Sequence, residues 1–264
     1  MRRIWALLLA GLVLFASGCI GDSVGLNEEK VMKAIESIHT GTYQENVSIT
    51  MNLTDPSSNK TVDVLMKFKT SGAFNLSSGI EAGNFSLLME YFGMNITANW
   101  PYFLNGTQAF FRIKGKWYNV TNADIANESR GSLNIEAIKR LLNVKNVTIK
   151  KLSEGYSFRI NVTYWELVNI TNRSDLVLSQ MKMRDIENVT TKEGWVEVHL
   201  TKEGYPVYVE EYFRVVVKIK TWDSAVPINV TIHDVVVFRD INGKVEIKAP
   251  EGLEKALPLE GSIL

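Results

Sequence analysis

The stretch Val196-Glu-Val-His-Leu-Thr-Lys-Glu-Gly-Tyr-Pro-Val-Tyr-Val-Glu-Glu-Tyr-Phe213 decides the fold. Val196, Val198 and Leu200 alternate with polar residues up to Glu203-Gly204. Val207, Val209 and Phe213 then alternate again, and Val215 and Val217 continue the same face. Period-two alternation on both sides of a short glycine-bearing turn is the mark of an antiparallel hairpin. Asn105-Gly106 likewise separates Tyr102-Phe103-Leu104 from Phe110-Phe111, and Lys114-Gly115 leads into Trp117-Tyr118. Glu154-Gly155 joins Val147–Ile149 to Phe158, Ile160, Val162 and Tyr164, and Asn242-Gly243 joins Val235–Phe238 to Val245 and Ile247. Hairpins link antiparallel neighbours, whereas parallel strands need long crossovers. The chain therefore reads as α+β, mainly β, with one large antiparallel sheet.

Upstream, Val47, Ile49, Met51 and Leu53 form one alternating run, and Val62, Val64, Met66 and Phe68 a second. A glycine-punctuated stretch from Gly72 to Gly93 continues the pattern more weakly, with Phe85 and Leu87, before Ile96, Ala98 and Trp100. Three stretches change to helical spacing. Asn27 caps a segment with Glu28 and Glu29 in its first turn and Val31, Ile35 and Ile38 on one stripe, ending by Gly41. Ile135, Ile138, Leu141 and Leu142 mark a second helix, and Asp175 to Met183 a third. After Pro250 a tail with Leu253, Leu257 and Leu259 closes the unit. No composition break divides the chain, so residues 26–264 are expected to form a single β-rich domain.

The N-terminus sets the compartment. Arg2 and Arg3 precede an apolar run from Ile4 to Phe15, too short for a span that needs about 20 residues. Leu14-Phe-Ala-Ser-Gly-Cys19 follows, and Cys19 is the single cysteine. These residues resemble a prokaryotic lipobox. The resemblance implies a signal peptide over residues 1–18, lipidation of Cys19, a tether over 19–25 and attachment to the outer face of the cell membrane. With that cysteine lipidated, no disulfide staples the fold and no thiol nucleophile remains.

Of the 21 asparagines, 15 open an Asn-x-Ser/Thr triplet: Asn46, Asn52, Asn59, Asn75, Asn84, Asn95, Asn105, Asn119, Asn127, Asn146, Asn161, Asn169, Asn172, Asn188 and Asn229. Serine and threonine are common enough to produce roughly three by chance. Threonine suits a strand but asparagine is depleted there, so strand chemistry accounts for half the pattern. On a strand each triplet sends Asn and Ser/Thr to one face and the middle residue, mostly apolar, to the other. N-glycosylation of one face accounts for the whole of it. Together with the lipobox it points to an archaeal cell surface.

Chemistry is sparse. The formal net charge is zero and the basic residues are scattered, so nucleic acid is not an expected partner. His39, His199 and His233 form no metal-ligand spacing, and no phosphate loop, nucleophile elbow or EF-hand occurs. Glu210 and Glu211 are adjacent on a strand and face opposite ways, while Glu211 interrupts the apolar face of Val209 and Phe213. No catalytic residue, metal or cofactor is expected, and the chain does not read as an enzyme. The longest sequon-free stretch after Thr61, between Val189 and Asn229, holds Tyr205, Tyr208, Tyr212 and Trp222 as a candidate contact patch.

The helix-to-strand passage from Asn27 to Met51, the Gln108-Ala-Phe-Phe-Arg-Ile-Lys-Gly-Lys-Trp-Tyr hairpin and the Thr201-Lys-Glu-Gly-Tyr-Pro-Val hairpin resemble the Lol-type lipoprotein carriers (LolA and LolB) and the LppX-type lipid-binding lipoproteins. That resemblance implies a curved, half-barrel sheet packed on a few helices with a lipid between them. It implies binding or carriage of a hydrophobic ligand without catalysis. Phe68, Trp100, Phe110, Phe158 and Tyr164 are then candidate cavity residues. The alternative is a glycosylated envelope module with a filled core and its activity on the outer surface.

Overall fold

The computed structural model describes residues 26–54, 61–91, 93–106, 108–120, 131–144, 147–171, 186–220 and 225–258. Helix α1 (Glu28–Glu36) leads into strands β1 (Thr40–Thr54), β2 (Thr61–Asn75), β3 (Ile80–Tyr91), β4 (Met94–Asn105), β5 (Gln108–Ile113) and β6 (Lys116–Val120). After α2 (Gly131–Val144) come β7 (Lys150–Leu152), β8 (Gly155–Asn161), α3 (Tyr164–Thr171), β9 (Ile186–Leu200), β10 (Pro206–Lys220) and β11 (Ala225–Arg239). A short 3₁₀ turn (Leu253–Lys255) and β12 (Leu257–Pro258) end the described chain.

The strands form one open, curved sheet in the order β12-β6-β5-β4-β3-β2-β1-β11-β10-β9-β8-β7. The chain starts at the centre and meanders to one edge through β6. It crosses by way of α2 to the far edge and meanders back until β11 pairs with β1. Among the described strands all pairings are antiparallel except the last, where β12 lies parallel to β6. Each half is local in sequence, and the β1–β11 seam joins them.

Register divides the sheet into two faces. Positions 43, 47, 49 and 51 of β1 align with 72, 68, 66 and 64 of β2 and with 238, 234, 232 and 230 of β11. This inner face carries the helices. Val31 and Ile35 of α1, Ile135, Ile138 and Leu141 of α2 and Leu167 of α3 share one core with Ile49, Met66, Val196, Phe213 and Ile232. At ~25 cal/mol per Å² of apolar surface, this shared burial is what holds a disulfide-free sheet together. A second, smaller cluster lies on the opposite, outer face, where Phe103, Phe110 and Trp117 are covered by Ile247, Leu253 and Ala256 of the tail.

Local expectations meet several corrections. The strand before Glu154-Gly155 is Lys150–Leu152, not Val147–Ile149. The strand expected to run to Tyr164 stops at Asn161, and α3 begins there. Thr163 accepts from Glu166 N at 3.2 Å while Glu166 Oε2 accepts from Thr163 N at 2.7 Å, a capping box that outcompetes strand alternation. The Asn242-Gly243 turn forms, with Asn242 at φ 57°, but Val245 and Ile247 pair with no strand among the described residues. Asn242 instead bonds back to His39 N and Ser37 O, which turns the tail onto the outer face. In that tail Leu253 packs, Leu257 is exposed and Leu259 lies outside the described residues, as does the helix expected from Asp175 to Met183. The first helix ends at Glu36 rather than nearer Gly41. Its Asn27 cap is as expected, accepting from Lys30 N at 2.9 Å.

Candidate functional site

On the inner face of β2, β3 and β4 an apolar row runs along the strands, beyond the fully buried core. Phe85 stacks on Trp100 with ring centroids 5.8 Å apart and planes 3° apart, and Phe68 lies 6.0 Å from Phe85. All three are half-buried. Toward the β3–β4 hairpin the row continues through Met89 and Ala98 to Tyr91, Ile96 and Met94, and the last two are 53% and 58% exposed. From Trp100 to Met94 the row spans about 20 Å at ~3.3 Å per residue.

The other end of the row is closed by polar groups. Tyr43 and Tyr102 both donate to Glu81 Oε1, at 2.6 and 2.8 Å, and their hydroxyls meet at 2.5 Å. All three residues are buried. Burial and then the Glu81 charge push both phenols well above their usual range. Glycines make the meeting possible. A Cβ at Gly72 would stand 2.5 Å from the Tyr102 hydroxyl, and one at Gly83 would stand 2.1 Å from Ser71 O. The row is therefore shut by a satisfied hydrogen-bond cluster at one end and open at the other.

The five aromatic residues expected to line a cavity are not brought together. Phe68 and Trp100 belong to this row, where Phe85 joins them. Phe158 is fully buried in the core, and Tyr164 heads α3, edge-on to Phe213 at 6.0 Å. Phe110 faces the opposite way, beneath the tail, because β5 alternates and its inner positions are Ala109 and Phe111. Glu211 does face inward, in register with Asp234, and Glu210 outward.

On the outer face of β8–β11 eight side chains close a ring. Arg159 lies 3.9 Å over Trp195, which stacks on Tyr212 at 5.7 Å, and Tyr212 meets His233 at 6.2 Å. His233 Nε2 donates to Glu210 Oε1 at 2.7 Å, and Tyr208 donates to Glu210 Oε2 at 2.8 Å. Tyr208 packs on His199 at 5.2 Å, His199 bonds Glu197 at 2.9 Å, and Glu197 returns to Arg159 at 3.8 Å. Partial burial raises the Glu210 carboxyl, but the bonds from Tyr208 and His233 and the charges of His233 and Arg159 outweigh it and hold it low. Tyr208 is pushed up to about 12 by burial and by Glu210. Two histidines far apart in sequence thus meet in one network, a neighbourhood that only strand order reveals. Tyr208 and Tyr212 of the sequon-free stretch belong to it. Tyr205 instead packs beneath α1, 3.3 Å from the Ser37 hydroxyl, and Trp222 lies outside the described residues.

The sequon asparagines are placed one-sidedly. On strands, Asn46, Asn52, Asn84, Asn95, Asn119, Asn161, Asn188 and Asn229 all occupy outer-face positions. Their middle residues point inward, as with Val120, Val189 and Val230, all buried. Asn75 and Asn105 lie at strand ends and Asn169 on α3, and none of these eleven is buried. Asn52 donates to Asp63 Oδ1 at 2.7 Å. Asn59, Asn127, Asn146, Asn172 and Cys19 lie outside the described residues.

Among the described residues no group of His, Cys, Asp and Glu is arranged to hold a metal ion. No described helix is long and apolar enough to cross a membrane.

No family model matches the chain. It is similar to an uncharacterized protein of Methanocaldococcus jannaschii, 26% identical over 258 residues, which span 94% of this chain and 96% of that one. Among solved structures it aligns with LprF from Mycobacterium bovis at TM-score 0.38 and 12% identity, over 85% of this chain and 95% of that one. It aligns with lipovitellin, described for its lipid–protein interactions, at TM-score 0.34 and 7% identity over 80% of this chain and 26% of that one. Scores this low bear on neither ligand nor activity.

Proposed function

We infer that the chain is a lipoprotein, anchored through Cys19 at the outer face of the cell membrane, that holds a hydrophobic, lipid-like ligand without catalysing a reaction. The inner-face row carries this reading. Phe68, Phe85, Trp100, Ile96 and Met94 present contiguous apolar surface that the packed helices leave partly open, and an open apolar face of this kind favours an apolar occupant. The occupant we assign is a single long hydrocarbon chain. The row is about 20 Å long, lies along β3 and β4 with Phe68 of β2 at its side, is closed by Glu81 and its tyrosines and is open at Met94. Outer-face sequons support the same division, since glycans on that face leave the inner one clear.

The test is extraction. The mature protein with Cys19→Ser, purified and freed of detergent, is denatured and its organic extract analysed by mass spectrometry. A stoichiometric lipid absent from an identically handled control is expected, and Trp100→Glu is expected to reduce it at least tenfold. An empty extract with no uptake of added fatty acid or diacyl lipid would overturn the reading.

A further inference from the structure

The outer face holds a second concavity, a hollow of about 830 Å³ across β11, β1, β2, β3 and β4. Its rim is polar: Asn46, Ser48, Lys67, Lys69, Ser86, Thr97, Asn99 and His233. Leu88 and Val235 supply an apolar floor from the same face. The charges are unbalanced. Both lysines are exposed and no carboxylate lines the hollow among the described residues, so an anionic occupant is favoured. Apolar floor, hydroxyl and amide rim and ammonium donors together match a saccharide, whose ring has C–H faces and hydroxyl edges.

One lining residue names the source. Asn46 opens a sequon with Ser48, and both stand on the wall. Lys69 lies directly opposite Asn46 and Lys67 directly opposite Ser48 in the β1–β2 register. Side chains so paired have Cβ atoms about 5 Å apart. A sugar on Asn46 Nδ2 would be rooted inside the hollow and within reach of both ammonium groups. We propose that the hollow is an acidic-saccharide site, filled by this chain's own N-linked glycan at Asn46. The site rests on the glycosylation reading of the sequons but goes further, since it singles out one of them and the charge of its sugar.

Two preparations test it. Protein made without glycosylation is titrated with hexagalacturonate, with maltohexaose as the neutral control. Saturable binding of the acidic oligomer alone is expected, weakened at least tenfold in Lys67→Ser/Lys69→Ser, whose two exposed positions leave the fold unchanged by circular dichroism. No binding, or equal binding of the neutral oligomer, overturns the acidic-saccharide site. Protein from its native membrane is then mapped by glycopeptide mass spectrometry. A glycan with a carboxylate, sulfate or phosphate at Asn46, and loss of hexagalacturonate binding in that preparation, are expected. A bare Asn46 beside modified Asn84 and Asn229 overturns the proposal while the glycosylation reading stands; bare sequons throughout overturn both.

Discussion

At the scale of single residues the buried polar cluster sets the sharpest expectation. Glu81 accepts from two phenols that have no access to water. Glu81→Ala removes the acceptor that both hydroxyls share; the two can still bond each other, so one buried donor is stranded, and an unsatisfied buried group costs about 1–3 kcal/mol. A loss of about 3 kcal/mol in urea unfolding is expected, larger than for Tyr43→Phe, which removes one donor and leaves Glu81 its other. Equal losses would show that volume, not hydrogen bonding, governs the site. On the outer face Glu210 sets a pH expectation. Its folded pKa lies below its ordinary value of 4.5, so its contribution to stability is present above that value and lost as pH falls through the folded one. Glu210→Gln should flatten the fall in unfolding free energy on acidification below roughly pH 5. The difference should shrink in high salt, because the group is partly exposed. A wild-type slope retained in Glu210→Gln would assign the acid sensitivity to other carboxylates.

At the scale of elements, local chemistry decided more than periodicity. Thr163-Tyr-Trp-Glu166 is a capping box written in the sequence, and the alternation of Phe158, Ile160 and Val162 concealed it because Tyr164 kept the strand period. Thr163→Ala should cost about 1 kcal/mol and lower the protection of α3 amides in hydrogen exchange, leaving β8 amides unaffected. Hairpin turns were legible because glycine supplies positive φ without help from tertiary contacts, as at Gly106 and Gly115, whereas at Asn242 the turn forms but the expected hairpin does not. The first helix was legible through its Asn27 cap. Phe110 was not, since alternation shows that a strand has two faces without showing which one a distant tail will cover. The outer ring was equally hidden: His199 and His233 become neighbours through β10, and no spacing in the sequence encodes that strand order. Gly72 and Gly83 looked like weak points of a strand. They are where Tyr43 and Tyr102 cross, and Gly83→Ala, with a Cβ aimed at Ser71 O, should destabilise by about 2–3 kcal/mol. A thermal melt within a degree of wild type would mean that the sheet relaxes there at little cost.

At the scale of the whole molecule the two ends of the sheet differ. Residues Leu26, Val31 and Ala34 at the start of the fold pack against the β9–β10 turn at Gly204, at the same end as Thr40, Asn105 and Arg239. Tyr91, Met94 and Ile96 lie at the opposite end, a full strand of about 40 Å away. Under the anchored reading, the seven steps from Cys19 to Leu26 span at most about 25 Å, so an upright molecule holds its apolar opening off the membrane that anchors it. Ligand would then pass through the β3–β4 hairpin end, toward a surface other than the anchoring one. Met94→Asp/Ile96→Asp places two charges at that opening without touching the core, because both side chains are more than half exposed. The double variant is expected to melt like wild type and to transfer a fluorescent fatty acid between donor and acceptor vesicles at least fivefold more slowly. An unchanged rate, with the ligand still bound at full stoichiometry, would place the entrance elsewhere along the sheet.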